Sequence, residues 1–125
     1  MPETIYIGTY TDYIQGNTLM KLAQIAALKD NWNGYGAEPL PYDTLYKAQH
    51  LIPALHVQPE IFPTADGSIQ FEYEKDNGDY LEFQFTGKGT CEVFKIIGDN
   101  EEYFTSQDNA SAVNAIVDAF YGYSL

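Results

Sequence analysis

Carboxylates alternate with large apolar residues through the second half of the chain. Glu72 and Glu74 fall among Ile69, Phe71 and Tyr73, Glu82 lies between Leu81 and Phe83, and Glu92 lies between Cys91 and Val93. Paired carboxylates do acid–base catalysis only where unequal environments split their pKa values, and an open sheet face offers no such split. A period-two pattern instead puts Glu72, Glu74 and Glu82 on the wet face of a sheet, about 6.6 Å apart along a strand and about 4.8 Å apart between strands, with Glu92 on a further strand. Such a lattice suits a cationic partner; the plainer reading is a solvated face. The run Asp76-Asn77-Gly78-Asp79 is too short for a calcium loop and lacks the later glutamate. His50 and His56 flank Pro53 without the i, i+4 spacing of a zinc site, and Cys91 has no cysteine partner. A thiol in mid-strand is more often a small buried side chain than a nucleophile. No catalytic residue, metal or cofactor is therefore expected.

The most distinctive stretch is Asn31-Trp32-Asn33-Gly34-Tyr35-Gly36. Its glycines permit backbone angles closed to other residues. Trp32, Asn33 and Tyr35 are candidate binding residues, because aromatic rings supply large contact area; a partner, a sugar or another small ligand would suit them. The structural alternative has Trp32 plugging the junction of a helix and the sheet while the glycines turn the corner. The loop is no phosphate cradle, since it lacks the lysine and the strand-to-helix context.

Charge narrows the partners. The chain carries 18 acidic residues against 6 basic ones, for a net charge of −12, and every basic residue is a lysine. Neutralising phosphates needs a basic surface, and bidentate recognition of phosphate or guanine usually needs arginine. Direct nucleic-acid binding and anionic membrane surfaces are both disfavoured. A basic protein partner is the electrostatic complement. The 11 tyrosines are too many for the core, so several should be exposed, and tyrosine is enriched in interfaces.

The elements that must position these residues follow from periodicity. A length of 125 residues fits one domain spanning the whole chain. Residues 1–16, rich in Tyr and Thr, read as a strand or an ordered arm. Asn17 or Thr18 then caps a first helix to Lys29, with Leu19, Leu22, Ala23 and Ala26 at helical spacing. Pro39 and Pro41 lead into a second helix, Tyr42 to Leu51, ended by Pro53. Short strands follow at Glu60–Phe62, Ile69–Glu74, Leu81–Phe85 and Thr90–Ile97, with a fifth over Glu101–Thr105, separated by Gly- and Asp-rich turns. Ser106 or Asp108 caps a closing helix with the stripe Val113, Ile116, Val117 and Phe120. The expected fold is α+β: two N-terminal helices, a four- or five-stranded antiparallel meander, and a C-terminal helix packed with the others on one sheet face. No apolar run reaches the ~20 residues of a membrane span. The start, Met1-Pro2-Glu3-Thr4, lacks the basic and apolar regions of a secretory signal. With its single cysteine, the chain suits a reducing cytoplasm.

The stretch Asn31-Trp32-Asn33-Gly34-Tyr35-Gly36-Ala37-Glu38-Pro39, followed by Pro63-Thr64-Ala65-Asp66-Gly67-Ser68-Ile69-Gln70-Phe71-Glu72-Tyr73 and Leu81-Glu82-Phe83-Gln84, resembles a family of small, uncharacterised bacterial and mobile-element proteins. Their pattern is roughly N-W-D-G-Y-G-A-x-P, a helix, P-T-P-D-G-G-I-x-L-E-W, and a strand like L-E-I-E. The likeness spans about Leu22 to Phe85. Asn33 stands where the family has Asp, Ala65 where it has Pro, and Tyr73 where it has Trp. The resemblance implies this order of elements and a bacterial origin.

Acidity, exposed tyrosines and the lack of a catalytic constellation point to a non-enzymatic binding protein for a basic partner, in an antitoxin-, immunity- or inhibitor-like role. Two other expectations stand beside it: a small ligand-binding or enzymatic domain centred on Trp32, and a nucleic-acid-mimicking inhibitor. Against the mimic, Lys75, Lys88 and Lys95 fall among the strands. The oligomeric state is open.

Overall fold

The computed structural model describes the backbone of residues 10–122 and the side chains from residue 15 onward. The elements run α1 (Tyr10–Ala26), α2 (Tyr42–Leu51), a 3-10 turn (Ile52–Ala54), β1 (Glu60–Pro63), β2 (Ile69–Glu74), β3 (Tyr80–Phe85), β4 (Thr90–Ile97), β5 (Asn100–Gln107) and α3 (Ala110–Tyr121). The chain is therefore α+β, with three helices and a five-stranded antiparallel sheet in the order β1-β2-β3-β4-β5. Among the described residues no helix is long and apolar enough to cross a membrane.

The alternation in β2 and β3 decides the packing. Ile69, Phe71 and Tyr73 on one strand lie opposite Phe85, Phe83 and Leu81 on the next, and all are buried. Leu22 and Ile25 of α1, Ala48 and Leu51 of α2, and Val113, Val117 and Phe120 of α3 share that same buried cluster. Ile116, expected in the core, is only partly buried against it.

Three local expectations are corrected. Residues 1–9 lie outside the described residues, but Tyr10–Gly16 is the first part of α1 rather than a strand or arm. Gly16-Asn17-Thr18 reads as a helix start, yet glycine inside a helix costs only about 1 kcal/mol, and Gly16 and Asn17 lie exposed within the helix. Helix α1 also stops at Ala26, short of Lys29, and Ala23 and Ala26 face outward while Leu22 and Ile25 turn inward. The cap of α3 is neither Ser106 nor Asp108 but Asn109, whose Oδ1 accepts from the Ala112 amide at 2.9 Å. Asp108 is used elsewhere: its Oδ2 accepts from the Gly89 amide at 3.0 Å and its Oδ1 pairs with Lys47 Nζ at 3.0 Å.

Helix α2 is seated on two hairpin turns. The buried Thr44 hydroxyl donates to the Gly67 carbonyl at 2.8 Å, with the Thr86 carbonyl at 3.3 Å. Beside it, a Cβ on Gly87 would lie 2.2 Å from the Asp43 carbonyl oxygen, and φ is +78° there. Both sterics and backbone conformation demand glycine. Two stability losses are expected in denaturant titrations. Phe83→Ala should cost about 3–5 kcal/mol, because Phe83 is fully buried. Gly87→Ala should also destabilise; Gly89→Ala, whose Cβ would meet open space but whose φ is +100°, carries backbone strain alone and should cost less, and a larger loss at Gly89 would show that backbone strain outweighs the approach of α2 to the β3–β4 turn.

Candidate functional site

Strand register assembles the glutamates that sequence reasoning singled out. Glu60 pairs with Glu72, and Glu72 pairs with Glu82. On the same line Glu82 pairs with Phe94, and Phe94 with Tyr103. One row thus crosses all five strands on the face opposite the core: three carboxylates, then two aromatic rings stacked with centroids 4.4 Å apart. Tyr103 is 77 % exposed. Glu74 lies beyond Glu72 and pairs with Tyr80. Glu92 lies on the same face but off the row, opposite Thr105, whose hydroxyl donates to it at 3.3 Å. Glu60 was missed as a site residue, because the four-residue β1 is too short to show its alternation. Its outward place follows only from pairing with Glu72.

The row is electrostatically unfavourable in the free protein. Partial burial raises the Glu72 carboxyl above the usual range, and the charges of Glu82, Glu60 and Glu74 push it the same way, against the Tyr80 hydroxyl. Tyr80 donates to Glu82 Oε1 at 2.8 Å. Its own phenol is raised by burial first and by that carboxylate next. Glu60, Phe62, Glu72, Glu74 and Tyr80 line a hollow of about 250 Å³.

The Trp32 loop is knit from within. Asn31 adopts the left-handed region at φ 64°, with Gly34 and Gly36 also positive. Asn31 donates its amide to the Ala37 carbonyl at 2.7 Å and accepts from Gly36 through Oδ1 at 2.8 Å. Asn33 Oδ1 accepts from Tyr35 at 2.8 Å and from Ala37 at 3.1 Å. Trp32 packs half-buried against the core, its indole donating to the Glu38 carbonyl at 2.8 Å. Tyr35 alone projects, 92 % exposed. An aspartate at position 33 would accept the same two amides. The second motif is knit likewise. Asp66 accepts from the hydroxyls of Thr64 and Ser68, which hold its carboxyl below the usual range, and Gln84 donates to Ser68 Oγ at 2.8 Å. The two motifs meet where Glu38, Pro39 and Pro41 face Ala65, Asp66 and Gly67.

The remaining candidate groups are placed as follows. Cys91 is buried, its thiol pushed up to about 12 by burial above all and by Asp108 next. His50 is exposed beside the Tyr46 carbonyl and ring. His56 Nδ1 lies 2.9 Å from Asp118 Oδ2, and the His56 amide donates to Asn114 Oδ1 at 2.8 Å. This pairing spans 62 positions. Its only sequence signal is Asn114 and Asp118, four apart beside an otherwise apolar stripe. Comparison of the chain with protein-family models, with curated proteins and with solved structures finds no match.

Two measurements check these assignments. Asn33→Asp should leave the melting temperature nearly unchanged, whereas Asn33→Ala should lose about 1–2 kcal/mol with the two accepted amides. Glu72→Gln should stabilise at neutral pH by no more than about 1 kcal/mol, the range for like charges facing across strands. The sign follows from the raised carboxyl: the fold favours its protonated form, so the penalty is absent at acid pH and appears as pH rises through the folded value. The advantage of Glu72→Gln should therefore vanish on acidification, and an advantage that persists there would have another cause.

Proposed function

We propose that the chain is a non-catalytic binding protein whose open sheet face engages a basic protein partner. The observation that carries this reading is the unbroken carboxylate row Glu60, Glu72 and Glu82 on three adjacent strands, opposite the face that holds the core. Mutual repulsion in that row is relieved when a cationic partner arrives, so the charges oppose folding and favour association. Phe94 and Tyr103 continue the row and supply apolar contact area where the charges stop. An antitoxin-, immunity- or inhibitor-like role suits the size and charge, and the resemblance of the Trp32 and Asp66 motifs suits a bacterial or mobile-element origin. The unpaired thiol of Cys91 suits a reducing cytoplasm.

A sharper form is a nucleic-acid mimic, and one observation favours it. Lys75 lies over the Phe120 ring, and Lys95 lies beside Glu102 and Phe104 on the core side of the sheet. The outward strand positions carry Glu60, Glu72, Glu74, Glu82, Glu92 and Glu101, and no lysine. The aromatic end of the row fits a phosphate lattice less well. A ligand site centred on Trp32 draws less support, because its indole N–H and the Asn33 carbonyl are already spent inside the loop.

The test replaces Glu72, Glu74 and Glu82 with glutamine and titrates a lysine- and arginine-rich peptide by calorimetry. Removing three charges should weaken binding about tenfold or more at low salt, and added salt should weaken binding to the parent. Equal affinity of parent and triple variant sinks the acidic-face reading. The mimic fails separately if a partner protein that binds the chain is not displaced by duplex DNA or RNA.

A further inference from the structure

The two edges of the sheet are protected very differently. β1 has four residues, ends in Pro63, follows Pro59, and lies against α1, with Lys21 Nζ 4.1 Å from the Phe62 ring centre. Shortness, proline and a covering helix are the usual defences of an edge strand. β5 has neither shortness nor proline, although α3 touches it. It runs for eight residues without proline, and among the described residues it pairs with β4 alone.

The hairpin geometry fixes which of its backbone groups are free. β4 and β5 are joined by the two-residue turn Gly98-Asp99, with Gly98 at φ +59° and Asp99 outside the positive region. Such a II′-type turn is closed by a hydrogen-bonded pair, here Ile97 and Asn100. Antiparallel pairs then alternate, so Glu101, Tyr103 and Thr105 occupy the non-hydrogen-bonded positions opposite Ile96, Phe94 and Glu92. The close stacking of Phe94 on Tyr103 agrees with that assignment. The amides and carbonyls of Glu101, Tyr103 and Thr105 therefore point away from the sheet.

Charge selects what can pair there. Natural edges are often guarded by lysine, but β5 carries Glu101 and Glu102, follows Asp99, and has no lysine of its own. Carboxylates on the edge of a chain of net charge −12 repel a second copy. They attract a strand that bears Lys or Arg. We propose that the outer edge of β5 accepts an extended basic segment of the partner as a sixth strand, its alternate side chains lying beside Glu101, Tyr103 and Thr105 on the open face. This rests on the reading that the partner is a basic protein and adds how that partner docks.

The probe is a blocked eight-residue peptide of alternating Lys and Thr, read by amide hydrogen exchange on the full chain in low salt. In the free protein the amides of Glu101, Tyr103 and Thr105 should exchange as exposed groups. Saturating peptide should slow them about tenfold or more, and the same peptide N-methylated at alternate residues should fail to do so at equal charge. Thr105→Pro, which removes one outward amide at an edge position that tolerates proline, should lose binding; the N-methylated peptide keeps the test decisive if that variant does not fold. Peptide binding that shifts Glu60, Glu72 and Glu82 without protecting β5 overturns the strand-addition proposal and leaves the acidic-face reading standing. Amides already protected in the free chain, or a dimer that protects them, show the edge filled from this protein and also overturn it. No binding by either peptide sinks both readings.

Discussion

Side chains alternate along β2 and β3, and the rest of the molecule depends on that alternation. Phe71 and Phe83 face each other across the two strands on one side, while Glu72 and Glu82 face each other on the other side at the next position. A shift of one residue in register would bury the carboxylates and expose the rings. Burial of the phenylalanines against Leu22, Ile25, Val113 and Val117 therefore also fixes the glutamate row. The acidic surface is written by the core, and its geometry cannot change without repacking.

At one end of the sheet, two turns are tied together and hold that register. Asp79 accepts from the Gly98 amide at 2.9 Å and lies 3.6 Å from Lys75, so one carboxylate joins the β2–β3 turn to the β4–β5 turn. The Gly98 amide above all, helped by Asn77 and Lys75, holds its carboxyl below the usual range despite burial. A depressed acid stabilises the fold above its unfolded pKa and loses that contribution as pH falls through the folded value. Glu72, raised by its surroundings, works in the opposite sense. Asp79 and Asp66 at the turns support the fold when ionised, and Glu72 in the row opposes it, so acidity in this chain has two distinct physical roles.

Much of the fold is legible from residue patterns, and the failures have physical causes. α2 and β4 begin and end where proline and glycine put them, because those residues act on the backbone locally. The alternation of Ile69–Glu74 and Leu81–Phe85 names the buried and wet faces correctly. The start of α1 is misread because Gly16 and Asn17 favour a helix start by type, yet both lie exposed inside the helix, where glycine costs only about 1 kcal/mol. The cap of α3 is misread because Asp108, as good a cap by type as Asn109, is drawn to Gly89 and Lys47. For the site, the glutamates on each strand are visible, but their joining into a row is not. Register between strands is a non-local quantity, as is the pairing of His56 with Asp118.

The split of the outward row into a carboxylate half and an aromatic half has a physical logic. Carboxylates on β1, β2 and β3 repel one another, and extending them onto β4 and β5 would compound the repulsion. Phe94 and Tyr103 end the charge at Glu82 and stack on each other instead, which recovers favourable cross-strand contact on a wet face. The two rings are not equally sheltered: Phe94 is half-buried, while Tyr103 lies in the open at the outer end of the row. The order of residues across the sheet thus runs from repelling charge on β1, β2 and β3 to attractive ring contact on β4 and β5, and Tyr80 joins the two halves, its hydroxyl on Glu82 and its ring against Phe94.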